Sequence, residues 1–466
     1  MTVRQSSVLG TDRPVASLDE YIRAGGGRPL ALAQRVGGDN VIDEIQASGL
    51  RGRGGAGFPT GQKWTTVRSD PCPTKYVVCN AAEGEPGTFK DRWLLRLNPY
   101  QVLEGVAIAA VAVGAVRAFV AIKAAYEKEI SSVRRALREM HEADMLASVS
   151  IEIVTGPDDY LFGEEKAMLE VIEGNDALPR IFPPYQIGVF AKSGSANPTV
   201  VNNVETFATV PAILRAGAGW FRSFGTDESP GTMVFTVVGD VRVPGMYELP
   251  LGIPFRELIY DVAGGPHEGR EIKVVFPGAA HGVLTPERFD TPADFDSLKE
   301  VGSGLGSGGF VVYDDSTCIV EALLAFSRFL HTESCGQCPP CKTGTQEFAE
   351  ILDRVERGGA TEDDLKNLES RCKSVTGGQL CYLPTGASLL VKSTLDAFGD
   401  EVRAHLGVKC SRRRDLPIPK LVDFDDGSGQ FTFDDSYEIE QIDQADRGSS
   451  PDGEGVVRAE GVDGGE

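Results

Sequence analysis

Residues 76–123, YVVCNAAEGEPGTFKDRWLLRLNPYQVLEGVAIAAVAVGAVRAFVAIK, decide the fold. The opening Tyr76-Val77-Val78 is aromatic and β-branched and reads as a strand, the run from Tyr100 to Val113 as a long apolar helix, and Ala118 to Ile122 as a second strand. Two strands separated by a helix rather than a tight turn pair in parallel through a crossover. The alternation continues with a charged helix over 126–141, a strand from Val149 to Val154 and a helix over 164–173. The prediction is an α/β domain built on a parallel sheet, with ligands received at the carboxyl ends of its strands. Upstream, residues 1–50 look polar and helical, with Val41, Ile42, Ile45 and Leu50 forming one apolar face.

After Trp220 the pattern changes. Met233 to Val238, Gly245 to Leu249, Lys273 to Phe276 and Phe310 to Tyr313 read as short strands, with a helix at 254–263, which predicts a small mixed domain of β-grasp (ubiquitin-like) type. From Thr317 to about Leu406 the periodicity is helical, and beyond Pro417 Gly, Asp and Glu take over. The expected division is 1–225 for the α/β domain with its N-terminal helices, 226–316 for the β-grasp domain, 317–406 for a helical bundle and 407–466 for an acidic, mostly disordered tail. Within that tail residues 431–441, FTFDDSYEIEQ, alternate apolar and polar, and are expected either to dock as a strand on a partner subunit or to stay a solvated tail.

The chain of 466 residues is 41% hydrophobic and 24% charged, which fits a folded multidomain protein and excludes disulfide scaffolds and wholesale disorder. Its formal charge is -22, half of it in residues 416–466, where 14 acidic side chains face 3 basic ones. That balance repels phosphate backbones, so no nucleic-acid partner is expected. The start, MTVRQSSVLGTDRP, carries no secretory pattern, and the most apolar run, Val106 to Val116, is too short to cross a bilayer. Membrane contact is expected only through partners. Nine cysteines, an odd number crowded toward one end, suit metal ligation in a reducing compartment, which places the chain in the cytoplasm.

Cys335, Cys338 and Cys341 form a C-x2-C-x2-C run whose thiolates can converge on one iron-sulfur cube from a single turn, which Gly336, Pro339 and Pro340 are expected to keep out of helix. A fourth ligand is needed, and Cys372 or Cys381 could supply it. Zinc is the competing reading, but zinc sites more often use two separated C-x2-C pairs. Gly52 to Gly57 satisfies G-x-G-x-x-G, as does Gly304 to Gly309, yet the first follows a helix, so neither is the dinucleotide fingerprint. Four glycines in six residues still let a backbone close on a flat ring or phosphate, with Arg53 and Lys63 supplying positive charge. Glu83 and Glu85 follow a strand, and Glu164 and Glu165 open a helix, where the dipole favours negative charge. Asn80, Asn202 and Asn203 offer amides to ring edges. No Ser-His-Asp, HExxH or Walker pattern appears, so hydrolysis has no support.

Taken together, GLRGRGGAGFPTGQKW at 49–64, NAAEGEPGTFKDRWLL at 80–95, GEE at 163–165, PTVVNNVETF at 198–207 and SCGQCPPCKTGT at 334–345 resemble one family in order and spacing, over about residues 40–405. It is the flavin- and NADH-binding subunit of respiratory complex I, shared with the diaphorase subunits of NAD-linked hydrogenases and formate dehydrogenases. The resemblance implies an FMN-binding domain, a β-grasp (soluble ligand-binding) domain and a helical domain carrying a 4Fe-4S cluster. By position it implies that Gly54, Gly55, Lys63, Asn80, Asn202 and Asn203 hold FMN, with Glu83 also counted among the cofactor-binding residues. Phe58, Glu85, Tyr160 and Glu165 would face the nicotinamide nucleotide, the two carboxylates orienting it. The implied cluster ligands are Cys335, Cys338, Cys341 and Cys381, leaving Cys372 a bystander.

The implied partners are NADH, a thioredoxin-like iron-sulfur subunit and further electron-transfer subunits of a hetero-oligomeric complex. The expected activity is an NADH:acceptor oxidoreductase of diaphorase type: a nicotinamide gives two electrons as hydride, a cluster accepts one, and a flavin must stand between. Three departures bear on this. Ala82 stands where the family usually carries aspartate, Phe162 where a small residue is usual, and Phe182, with Tyr185 nearby, where a cleft lysine is common. They motivate a second reading, an FMN and iron-sulfur relay or assembly subunit that no longer binds nicotinamide.

Overall fold

A computed structural model describes Leu9, Gly10, residues 13–435 and Tyr437. Four strands, β1 (Tyr76–Ala81), β2 (Arg117–Lys123), β3 (Ser150–Gly156) and β4 (Thr199–Asn203), form one sheet in the order β3-β2-β1-β4. All three pairings are parallel. The chain moves outward from β1 to β2 and β3, then returns to set β4 on the other side of β1. In a parallel sheet such a reversal opens a crevice at the carboxyl ends of the two strands it separates. Asn80 of β1 lies opposite Asn203 of β4 at that edge.

The helix Pro99–Val113 fills the centre of this domain. Asn98 caps it by accepting from the Gln101 N–H, Pro99 takes the first helical position and Gly114 ends it at φ 79°. Its Glu104 is buried, yet it accepts from the Tyr21 hydroxyl and from the N–H groups of Gly27 and Leu30 at 3.0 and 2.9 Å, which docks the N-terminal helices. The helix packs on Val204–Ala216 so closely that a methyl group on Gly105 would lie 2.0 Å from the Phe207 carbonyl oxygen. Gly105→Ala is therefore expected to force the helices apart at a cost of about 1–3 kcal/mol. Thermal unfolding checks this, and an unchanged midpoint would mean the helices separate freely.

A second sheet contains β5 (Thr232–Gly239), β6 (Gly245–Pro250), β7 (Ile272–Phe276) and β8 (Gly309–Asp314) in the order β6-β5-β8-β7. Its central pair is parallel and its outer pairs antiparallel. Met233, Phe235, Phe255, Phe289 and Phe310 belong to its separate core. The strands fall where the sequence runs placed them, whereas the helix expected at 254–263 is one α turn, Phe255–Glu257, continuing into a π turn, Leu258–Val262. Four helices follow, Ile319–Thr332, Pro339–Glu356, Glu362–Ser374 and Leu383–Arg403, packed on one another. Among the described residues no helix is long and apolar enough to cross a membrane.

The described part of the tail carries two strands. Residues beyond Ile418 return to the α/β domain as a hairpin of β9 (Leu421–Asp425) and β10 (Gln430–Phe433). The Phe424 and Phe431 rings lie 4.6 Å apart, and both contact Phe89. Arg92 donates to the Leu421 carbonyl at 2.6 Å, and Asp423 pairs with Arg96 and Lys128 at 2.8 and 2.5 Å. Two aromatic rings bury enough surface to hold so short a hairpin, and the surrounding Gly and Asp masked that signal. Phe431–Phe433 thus pairs with β9 of the same chain. Ser436, residues 438–441 and the remainder of the tail lie outside the described residues.

Candidate functional site

The glycine loop approaches the crevice from the side of β4. A Cβ on Gly54 would come within 3.3 Å of Asn203 Cβ, and Gly55, at φ 119°, faces the Gly306–Ser307 backbone. The two glycine-rich loops therefore face each other, the second reaching over the crevice from the second sheet. Lys63 projects from the helix Thr60–Ser69 to donate to the Val201 carbonyl at 2.9 Å and to Glu165 at 2.5 Å. Arg53 does not share this role. It is fully buried and donates to the carbonyls of Arg51, Pro230 and Thr232, clamping the loop to the second sheet.

The three asparagines are oriented by internal bonds. Asn80 donates to the Gly163 carbonyl at 2.7 Å, Asn202 accepts from the Trp64 indole at 2.8 Å, and Asn203 caps the helix Val204–Ala216 while bonding Asp91. Glu83 turns away from the crevice. Its carboxylate accepts from the N–H groups of Asp91 and Arg92 and pairs with the Arg92 side chain at 3.2 Å, anchoring the helix Lys90–Leu97. Glu85 is placed differently: it accepts from the Tyr160 hydroxyl at 2.5 Å and from the Ala279 N–H at 2.7 Å. Gly278 makes that possible, because a Cβ there would lie 2.3 Å from the carboxylate. Burial pushes Glu85 above the ordinary carboxylate range, while Tyr160 and Ala279 pull it back. Phe58, Phe182 and Tyr185 present open aromatic surface, at 47%, 50% and 43% exposure. Ala82 and Phe162 lie in one buried apolar cluster, where the Phe162 ring covers Gly156.

From Tyr160 the site continues into the helical unit. The Tyr160 N–H donates to Glu333 at 2.9 Å, and its ring packs on Phe329. Next to it lies a small cavity lined by Cys335, Cys338, Cys341 and Cys381, closed by Leu161 and Pro179 of the α/β domain. Cys338 caps the helix Pro339–Glu356, and Tyr382, next to Cys381, caps Leu383–Arg403, so two helix N-termini border the cavity. Pro339 and Pro340 start the first helix rather than hold the turn out of it, since proline suits the opening helical positions. Cys372 lines none of this cavity. Four thiols around one cavity fit a cluster of several irons, each thiolate binding one of them. On the flavin side, flanking glycines and fixed amides fit a flat ring with a phosphate, as FMN requires.

Three stretches of the chain match known protein families. Residues 45–212 match the Nuo51 FMN-binding domain, residues 234–278 the SLBB domain and residues 321–405 the NADH-ubiquinone oxidoreductase-F iron-sulfur binding region. The second NADH-quinone oxidoreductase F protein of Rhizobium meliloti (strain 1021) is 43% identical over 409 residues, spanning 85% of this chain and 96% of that one. The chain belongs to the NADH-quinone oxidoreductase F family. NADP-reducing hydrogenase subunit HndC of Solidesulfovibrio fructosivorans is 39% identical over 84% of this chain and 81% of that one. The crystal structure of an NAD+-reducing NiFe hydrogenase in the H2-reduced state matches with a TM-score of 0.74 at 33% identity, covering 84% of this chain and 67% of that one.

One part of the chain was not foreseen from the sequence: a buried charge cluster behind the crevice. Lys90 is fully buried, 2.7 Å from Asp91, 3.0 Å from Glu205 and 3.0 Å from the Asn203 amide oxygen. Burial pushes Asp91 above the ordinary carboxylate range, while the ammonium beside it pulls the value back. The signal was in view, since Lys90-Asp91-Arg92 are consecutive charges opening a helix that continues Trp-Leu-Leu-Arg-Leu. Three such charges on adjacent faces cannot all reach solvent.

Proposed function

We propose that the crevice between β1 and β4 holds FMN, that NADH binds over it, and that electrons leave through a 4Fe-4S cluster on Cys335, Cys338, Cys341 and Cys381. The observation that supports this best is continuity: Glu85 and Tyr160 border the crevice, and Tyr160 and Leu161 reach the four-cysteine cavity within the same chain segment. When bound, FMN converts the two-electron hydride into single electrons that a cluster can accept. The chain's own residues position and tune. Gly54 and Gly55 admit the ring, Lys63 offers positive charge at the strand edge, and Asn80, Asn202 and Asn203 meet the ring's polar rim. Glu85 and Glu165 orient the nucleotide, with Phe58 and Tyr160 shaping its cleft and Glu83 acting through the loop it anchors.

In this reading β5 to β8 form a β-grasp module and the four helices a bundle around the cluster, as the strand order and helix packing suggest. Cys335, exposed on the cavity rim, marks the side where a thioredoxin-like iron-sulfur subunit of a larger complex would accept electrons. All nine cysteines are free thiols, in keeping with a cytoplasmic setting. An anaerobic titration of the loaded protein with NADH and then NADPH tests the activity by absorbance. Flavin bleaching with NADH, followed by loss of cluster absorbance, is the expected outcome. Failure of both nucleotides to bleach the flavin would mark a relay supplied with electrons by another chain, with Phe182 as the altered cleft residue.

A further inference from the structure

Away from the crevice and the cluster cavity, Cys318, His405 and Cys410 bring two sulfurs and an imidazole nitrogen within 4.8 Å of one another. Cys318 caps the helix Ile319–Thr332, His405 follows the helix Leu383–Arg403, and Cys410 lies on the segment that carries the chain back toward the α/β domain. Cys318 and His405 are buried and Cys410 is half-buried. His405 Nε2 stands 3.3 Å from Cys318 Sγ, while Nδ1 lies 2.8 Å from the Glu401 carbonyl oxygen. A carbonyl can only accept, so Nδ1 carries the proton and Nε2 turns its lone pair to the sulfurs. A backbone partner fixes metal-binding histidines in the same way.

We propose that Cys318, His405 and Cys410 bind one zinc ion through two thiolates and the His405 Nε2, with water as the fourth ligand on the more open side of Cys410. Two sulfurs and an imidazole select a thiophilic ion over magnesium or calcium. Both thiols give up their protons to solvent as the ion enters. The ion joins three segments distant in sequence. It fixes the returning strand of chain whose Arg414 pairs with Asp240 at 2.8 Å and whose Arg414 and Leu416 N–H groups donate to Glu321. Its role is structural, separate from electron transfer.

Metal analysis of the full chain, purified anaerobically with its cofactors, is expected to find one zinc beside the cluster iron. Zinc-edge X-ray absorption should show two sulfurs and two nitrogen or oxygen neighbours, with the outer-shell signature of one imidazole. Cys410→Ser and His405→Gln should each weaken zinc retention at least about tenfold while iron and FMN content stay unchanged. Stripping zinc from the unaltered protein and adding cobalt(II) should bring up thiolate-to-cobalt absorption, a readout that depends on no variant folding. Three results would overturn the proposal: neither zinc nor a cobalt band, an all-sulfur zinc environment from ions misplaced in the cluster cavity, or a Cys318–Cys410 disulfide in the anaerobically purified chain.

Discussion

Cys381→Ser is expected to take cluster iron from about four atoms per chain toward none, and to end reduction of any acceptor that draws electrons through the cluster. Cys372→Ser is expected to leave both unchanged. The contrast rests on geometry. Both cysteines belong to the same helical unit and are separated by only nine positions, but Cys381 lines the cavity shared with Cys335, Cys338 and Cys341, and Cys372 does not. Flavin bleaching by NADH should survive in Cys381→Ser, because the crevice lies on other elements. Iron and sulfide analysis with low-temperature EPR of the reduced protein decides the matter. Full iron content in Cys381→Ser would remove this cysteine from the ligand set.

For Glu85→Gln, kcat/KM for NADH should fall about 10- to 100-fold, the effect of losing a hydrogen bond to a charged group worth about 1.5–3 kcal/mol. Glutamine preserves shape and can still accept from the Ala279 N–H, so folding should be intact. The pH dependence gives an independent check. Because burial raises Glu85 above its ordinary value of 4.5, the group protonates earlier as pH falls, and the acid limb of kcat/KM should sit above that value. Tyr160→Phe removes one of the two bonds that pull Glu85 down, so the limb should move to higher pH; in Glu85→Gln it should vanish. The sign for stability is the reverse of a salt-bridged carboxylate: with the folded value above the unfolded one, the Glu85 contribution weakens as pH rises through that interval. Unchanged profiles in both variants would confine Glu85 to holding the Ala279 loop.

The parallel sheet was legible because β1, β2 and β3 are dense in Val, Ile and Ala and are separated by runs of helical length. β4 was not legible as a strand: Thr199–Asn203 is five residues ending in two asparagines, a type poor in strands, and only the neighbouring β1 makes it one. The reversal of strand order that creates the crevice was hidden for the same reason. Spacing alone left Cys372 and Cys381 open as fourth ligand, since sequence distance says nothing about which thiol a helix turns toward the other three. Arg53 shows a further limit. An arginine among glycines reads as a cation offered to a ligand, and its carbonyl partners at Pro230 and Thr232 sit on a segment more than 170 residues away.

The returning hairpin has a consequence for how the molecule is made. Arg92 stands at the floor of the α/β domain, almost fully buried, and one of its carbonyl partners is Leu421; the Gly87 N–H likewise donates to Pro419. Everything else in that domain has been synthesised by about residue 225. At roughly 5–20 residues per second, the ribosome needs about 10–40 s more to deliver the hairpin. During that interval the loop bearing Glu83, Glu85 and Gly87 exists with its floor open, so the β9–β10 hairpin decides when that loop is closed from below.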